Sequence, residues 1–286
     1  MKILVFGANG QLGSDICEVF AAKHEIVAAT HEDTDINDYD AVAALLEKVK
    51  ADCVINTAAM HNVEKCEQDP RGAQETNAFA IGNLAALCAK ADMPFIHFSS
   101  DYVFDGAKKT PYMEDDAARP LNAYGNSKLS GENYALAVNP KTIIMRVGGI
   151  YGKNPCRAKG GLNFAQLMLK LAKERPEIRV VDDEIVTPTP TKAIAEQTLI
   201  LAEEGKYGLF HATCQGQCSW YEFAKAIFEI SDVKANLQKA KPGEFSTKVK
   251  RPSWSVLENS RLKEAGIDIM PHWRDGLESY LKEMGY

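Results

Sequence analysis

No apolar run in the 286 residues approaches the roughly 18 that a membrane span requires. Nor does positive charge dominate. With 33 Lys and Arg against 39 Asp and Glu, the formal net charge is −6, which argues against nucleic acid or an anionic membrane as the main partner. The apolar strand pattern begins within the first few residues and leaves no room for a signal peptide, so a cytoplasmic protein is expected. Internal repeats and low-complexity tracts are lacking. The seven cysteines are odd in number and scattered, with none at Cys-x-x-Cys spacing. Cys17, Cys53 and Cys88 sit in apolar patterns, and Cys214 and Cys218 have no second Cys or His pair at zinc spacing. They read as packing residues. The six histidines show no metal spacing, and no metal is expected.

What is present is an alternation of apolar runs and amphipathic segments. Strands are expected at residues 3–6, 26–29, 53–56, 94–98 and 142–146. Helices are expected at 11–22, 40–49, 71–91 and 122–138. Such alternation implies crossover connections and a parallel sheet covered on both faces. Runs such as Val54-Ile55 and Ile143-Ile144-Met145 suit burial on both sides. The texture changes after about residue 150. A polar loop over 153–161 is followed by a helix at 164–172, a strand at 178–181 and a proline-bearing connection at 186–190. Then come a helix at 193–202, a strand at 208–211, a helix at 219–230 with Ser219 as N-cap, and a final helix ending near Tyr286. The expected fold is α/β: a Rossmann-type doubly wound parallel sheet over 1–150, rejoined by about 191–203, with a smaller α/β lobe over 151–286 above the carboxyl ends of the strands.

Two motifs carry chemistry. Gly7-Ala8-Asn9-Gly10-Gln11-Leu12-Gly13 joins the first strand to the first helix. Gly7, Gly10 and Gly13 let the backbone approach a dinucleotide pyrophosphate, and the helix N-terminus faces its charge. Tyr124 and Lys128 lie one turn apart on one helix face. An ammonium beside the phenol favours the phenolate, so that Tyr124 can exchange a proton with a carbonyl oxygen near neutral pH. Lys128 can also hold the coenzyme ribose. Ser99-Ser100-Asp101 follows the fourth strand, where a hydroxyl can share an oxyanion with Tyr124, while Ser99 alone could be a turn cap. Thr57-Ala58-Ala59-Met60 follows the third strand with small side chains beside the coenzyme path, and 61–67 borders the site mouth. The second strand ends Ala29-Thr30-His31 without the acid that would hold a ribose 2′-hydroxyl; Asp33 and Asp35 come later. This favours NADPH, with NADH as the second option.

These residues resemble the extended short-chain dehydrogenase/reductase family, and within it the branch of dTDP-4-dehydrorhamnose reductases. The resemblance runs over nearly the whole chain. It includes residues 7–13, Asp35-Ile36-Asn37-Asp38, the run Ser99 to Gly106, Tyr124 to Lys128 with Gly131-Glu132, Asn163-Phe164, Pro188-Thr189, Cys218 to Tyr221 and Arg251-Pro252. The resemblance implies that Gly10, Gln11 and Leu12 contact the pyrophosphate, Asp35 and Ile36 the adenine, and Ala59, Met60 and His61 the nicotinamide ribose. It makes Ser100, Tyr124 and Lys128 catalytic and puts Ser100 and Asp101 against a sugar. Asn163 and Arg251 are the candidates for a nucleotide diphosphate, the arginine because its planar donors can bind two oxygens. The chain departs from the pattern in four places. Gly149 stands where an aromatic residue is usual, and Met60-His61 replaces His-Thr. Glu64 replaces Asp, and Lys192 replaces the second acid of a magnesium cluster that would include Asp15. The implied function is reduction of the 4-keto group of a nucleotide-linked deoxysugar by a monomer or homodimer. Two alternatives remain: an epimerase or dehydratase on the same scaffold, and a non-catalytic regulatory subunit like that of methionine adenosyltransferase.

Overall fold

The computed structural model describes residues 1–156, 160–241, 243–245 and 249–286. Residues 157–159 of the loop expected at 153–161 lie outside the described residues. The elements run β1 (Lys2–Phe6), α1 (Gln11–Phe20), β2 (Glu25–Ala29), α2 (Tyr39–Val49), β3 (Cys53–Asn56), α3 (Val63–Gln68), α4 (Pro70–Gln74), α5 (Ala80–Lys90), β4 (Phe95–Ser100), α6 (Ala123–Val138), β5 (Thr142–Val147) and β6 (Ile150–Tyr151). They continue as α7 (Phe164–Glu174), β7 (Ile178–Val180), β8 (Ile185–Val186), β9 (Thr189–Pro190), α8 (Thr191–Glu204), β10 (Gly208–His211), β11 (Cys218–Ser219), α9 (Trp220–Ile230), β12 (Leu237–Lys239), α10 (Ser260–Glu264) and α11 (Trp273–Glu283).

Six strands form one parallel sheet in the order β10-β5-β4-β3-β1-β2. Every residue of β3, β4 and β5 is buried, as near-continuous apolar strands demand. Alternate residues divide between two layers. Ile3, Val5, Ile55, Ile96 and Met145 face α1 and α8, while Leu4, Val54, Phe95 and Ile144 face α2 and α5. Each fully buried aliphatic side chain contributes about 1.5–3 kcal/mol. Strand order reverses between β1 and β3, which is where open α/β sheets bind ligands.

The helix expected at 71–91 is divided. α4 and α5 are joined through a π-helical turn at Glu75–Phe79, a distortion common at functional sites. The expected connection at 186–190 holds two short strands, β8 pairing with β11 and β9 with β6. β10 lies beyond residue 150 in sequence but hydrogen-bonds to β5 in the main sheet, with His211 beside Arg146. The other small pairs, with α7, α9 and α11, build a lobe around the rings of Tyr151, Phe164, Trp220, Phe223, Trp273 and Tyr280. Capping boxes begin α7 (Asn163 with Gln166) and α9 (Ser219 with Glu222). Among the described residues, no helix is long and apolar enough to cross a membrane.

Candidate active site

The glycine turn occupies the switch point. Gly7 has φ +73°, a left-handed conformation, and an added Cβ would lie 2.7 Å from the Ala58 nitrogen. A Cβ on Gly13 would lie 2.2 Å from the Gly7 carbonyl oxygen, so α1 can approach the turn only with glycine there. Gly10 precedes α1, supplies no side-chain cap, and the first turn of the helix holds no acid. An anion therefore meets a bare helix N-terminus, and the residues present fit a dinucleotide pyrophosphate.

The other expected coenzyme residues are in varied settings. Gln11 is buried, and its amide donates to the carbonyls of Gly152 and Asn154, at 3.4 and 3.2 Å. Leu12 and Ile36 are core residues. Asp35 accepts from the Asn37 backbone at 3.0 Å and its side chain at 2.9 Å. Ala59 is half-buried. Met60 is clamped by Asn77 of the π-helical turn, its N–H donating to Asn77 Oδ1 at 2.9 Å while Asn77 Nδ2 donates to its carbonyl at 2.8 Å. His61 Nε2 lies 3.8 Å from Cys156 Sγ. At the end of β2, the Thr30 N–H and hydroxyl both donate to Asp33 Oδ2, at 2.8 and 2.7 Å, which brings a carboxylate to a strand end whose own residues hold no acid.

Ser100, Asp101, Tyr124 and Lys128 converge at the carboxyl end of β4 and the first turns of α6, which Asn122 caps. Ser100 Oγ donates to Asp101 Oδ1 at 2.8 Å and accepts from the Tyr102 N–H at 3.2 Å. Burial of Asp101 outweighs its hydrogen bonds and pushes its carboxyl up to about 6. Tyr124 is close enough to Ser100 for the hydroxyl to favour its phenolate, and it meets the Tyr102 ring edge-on, with centroids 5.9 Å apart.

The expected lowering of the Tyr124 phenol by Lys128 is not found. Burial raises the phenol above its ordinary value, with Ser100 offsetting part of the rise. Lys128 shares the Tyr124 face, but its side chain runs down to the sheet, 98% buried, where Nζ lies 3.1 Å from His97 Nε2. Burial brings its ammonium down to about 8, while Glu132 pulls the other way.

Asn163 also differs from expectation. Its Oδ1 accepts from the Gln166 N–H at 3.0 Å, and its Nδ2 donates to the Gly152 carbonyl at 2.6 Å and Tyr280 Oη at 3.1 Å. Both amide hydrogens are spent on the framework, so it is no donor to a diphosphate. Arg251 reaches out of the later lobe to pair with Glu64 at the start of α3. Gly149, at the position of the usual aromatic, packs its backbone against Thr187 and Pro188, where even a Cβ would come within 3.1 Å. Asp15 accepts from Thr191 and Asn154, at 2.5 and 3.0 Å, while Lys192 pairs with Glu283. Among the described residues no cluster of three or more His, Cys, Asp or Glu could hold a metal.

Several residues of the site had no role assigned from the sequence. They are Asn56, His97 and the buried pair Glu132–Arg146, whose two bonds measure 2.9 and 2.7 Å. Their signal was polar residues in otherwise apolar strands, all facing the same side as Lys128 and Glu132.

A glycine cradle at the switch point, with serine, tyrosine and lysine two strands away at the end of β4 and the start of α6, defines a dinucleotide-binding α/β protein of the short-chain dehydrogenase/reductase type. Residues 1–286 match the model of the RmlD substrate binding domain family, and the chain belongs to that family. It is 37% identical over 283 residues to the spore coat polysaccharide biosynthesis protein SpsK of Bacillus subtilis, covering 99% of this chain and 97% of that one. The solved structure of a dTDP-4-dehydrorhamnose reductase from Clostridium acetobutylicum superposes with a TM-score of 0.95 at 39% identity, over 100% of both chains. That of the Bacillus anthracis dTDP-4-dehydrorhamnose reductase, in complex with NADP, has a TM-score of 0.94 at 32% identity, over 99% of each.

Proposed function

We propose that this chain is an NADPH-dependent oxidoreductase that reduces the 4-keto group of dTDP-4-dehydro-L-rhamnose, giving dTDP-L-rhamnose. The observation that carries the reading is Tyr124 and Lys128 one turn apart on α6, with Ser100 at the carboxyl end of β4, in the sheet that also carries the glycine cradle. Full-length similarity to reductases of that name, one of them holding NADP, supports it.

Gly7, Gly10, Gln11, Leu12 and Gly13 hold the pyrophosphate at the start of α1, with Asp35 and Ile36 toward the adenine and Ala59, Met60 and His61 toward the ribose. The bound coenzyme supplies a hydride. Tyr124 is the acid. Its raised pKa keeps the phenol protonated at neutral pH, ready to protonate the oxygen that becomes an alkoxide. Ser100 polarises the substrate carbonyl. To donate to the substrate oxygen, its hydroxyl turns away from Asp101, which otherwise holds its hydrogen. Lys128 in its charged form favours the phenolate. Arg251 leaves Glu64 for the diphosphate. Residues 1–150 with 191–203 and β10 (208–211) form the coenzyme half, and the remainder of 151–286 the substrate lobe. The seven free cysteines suit a cytoplasmic location, and we expect a monomer or homodimer.

The test is NADPH and NADH oxidation, followed by absorbance, with dTDP-4-dehydro-L-rhamnose and other nucleotide 4-keto sugars, and product stereochemistry by NMR. Tyr124→Phe should bind NADPH normally while kcat falls by about 10²–10⁴-fold. Coenzyme binding with no reduction of any 4-keto sugar would overturn the reading, and retained turnover in Tyr124→Phe would remove that residue as the acid.

A further inference from the structure

Ser100 and Asp101 stand side by side where β4 ends, 6% and 4% exposed. A serine hydroxyl has one hydrogen and two lone pairs, so its bonds can be counted. Here the hydrogen goes to Asp101 Oδ1, at 2.8 Å, and one lone pair is taken by the Tyr102 N–H, at 3.2 Å. An ionised carboxyl can only accept. While Asp101 is ionised it therefore competes with a substrate oxygen for the single hydrogen of Ser100. A protonated carboxyl reverses the bond. It donates to Ser100 Oγ, fills the second lone pair and sets the serine hydrogen free.

We infer that Asp101 is a positioning residue for the proposed reduction: ionised, it holds the Ser100 hydroxyl off the substrate, and with a proton taken up it turns that hydroxyl toward the carbonyl. The inference rests on the reading of Ser100 as the group that polarises the carbonyl. The step is one proton gained from solvent on Oδ1 before substrate binds, and nothing is oxidised or reduced. Ser100 Oγ then accepts from Asp101 and Tyr102 and donates to the substrate oxygen, which uses its whole capacity. The carboxyl expected against a sugar thus acts on it through Ser100.

The surroundings suit such a change of state. Gly148, just past β5, brings its backbone so close that a Cβ there would lie 3.0 Å from Asp101 Cγ. Burial penalises the carboxylate and raises Asp101 to about 6. Ser255 of the later lobe is 2% exposed, and its hydroxyl has no hydrogen bond of its own among the described residues. It is close enough to favour the carboxylate, and it can still donate to the carbonyl oxygen of the acid. The titratable groups facing Asp101 are the Tyr102 and Tyr124 phenols. Both are raised by burial and by Asp101 itself, so they stay neutral while it titrates. Beyond them, Arg251 and Glu184 act on Tyr102, and Lys128 titrates at about 8.

The test is kcat/KM for dTDP-4-dehydro-L-rhamnose with NADPH over about pH 5–7.5. In the unmodified protein it should fall by about 10-fold across that range, because taking the hydrogen from a carboxylate breaks a charge-assisted bond. Asp101→Asn, whose amide donates to Ser100 without titrating, should be level there and stand above the unmodified protein at pH 7.5. In a Ser100→Ala background, Asp101→Asn should leave the profile unchanged. Superposed profiles with Ser100 present overturn the inference. So does the same change of profile in the Ser100→Ala background. Infrared difference spectra between the two ends of the pH range need no turnover. They should show the carbonyl band of a protonated carboxyl, which Asp101→Asn removes and Ser100→Ala displaces. A band indifferent to Ser100→Ala overturns the inference, and this decides where Asp101→Asn does not fold. A band that moves while no 4-keto sugar is reduced counts against the reductase reading and not against the exchange between Asp101 and Ser100.

Discussion

Replacing Glu132 by glutamine should damage the protein far more than removal of any surface charge. Arg146 binds both oxygens of Glu132, and the two side chains are 4% and 2% exposed. The guanidinium also lies 5.0 Å from the centroid of Phe104 and donates toward His211 Nε2 at 3.4 Å. His211 cannot take over as a counter-charge. Its Nδ1 donates to the Glu258 carbonyl at 3.0 Å, and burial beside Arg146 brings its pKa down to about 3. A neutral amide at position 132 would leave a buried guanidinium without an anion, a loss of about 3–5 kcal/mol. At about 2–4 °C per kcal/mol for a chain of this size, the melting temperature should fall by roughly 6–20 °C. Urea unfolding followed by circular dichroism measures the loss directly. Removing both charges, as Glu132→Leu with Arg146→Met, should recover much of it, because neither ion is then stranded. A single-variant cost under about 1 kcal/mol, or a double variant no better than the single, would show that solvent reaches the pair and would refute the reasoning from burial.

Three further outcomes are expected. Gly13→Ala pushes a Cβ into the Gly7 carbonyl, so α1 must retreat; stability should fall by about 1–3 kcal/mol and NADPH affinity, read by fluorescence titration, by ~10-fold or more, and unchanged affinity would dissociate the cradle from coenzyme binding. Asn163→Ala should cost about 2 kcal/mol in urea unfolding through the lost helix cap, with KM for the nucleotide sugar unmoved; a raised KM at full stability would restore it as a ligand. Asp101 has its carboxyl raised to about 6 in the folded protein, so the folded state binds the proton more readily than the unfolded one, and stability contributed by this group falls as pH rises from about 4 through 6. Asp101→Asn should remove that slope, worth on the order of 3 kcal/mol, and parallel stability profiles for the two proteins would contradict it.

Much of the architecture was legible because it is local. β3 and β10 fall at the residues expected from their apolar runs, and Ser219 caps α9 as its spacing suggests. The pairing of Gly7 and Gly13 with a strand and a helix likewise needed only neighbouring residues. Three features were not legible because each depends on a partner distant in sequence. Tyr124 and Lys128 share a face, but whether Lys128 reaches the phenol or the sheet depends on His97, one strand away. Asn163 looks like a ligand until Gly152 and Tyr280 are seen to absorb its hydrogens. The π-helical turn at Glu75–Phe79 has no periodic signature; it brings Asn77 to Met60 and Ser127.

The order of strands has a consequence for synthesis. β10 emerges from the ribosome well after β5, yet it is the only strand that shields that side of the sheet among the described residues. Until it docks, Ile143 to Arg146 present an open row of backbone donors and acceptors to any neighbouring nascent chain. A fragment ending near residue 150 would carry that sticky margin permanently and should aggregate, however complete its nucleotide-binding loop.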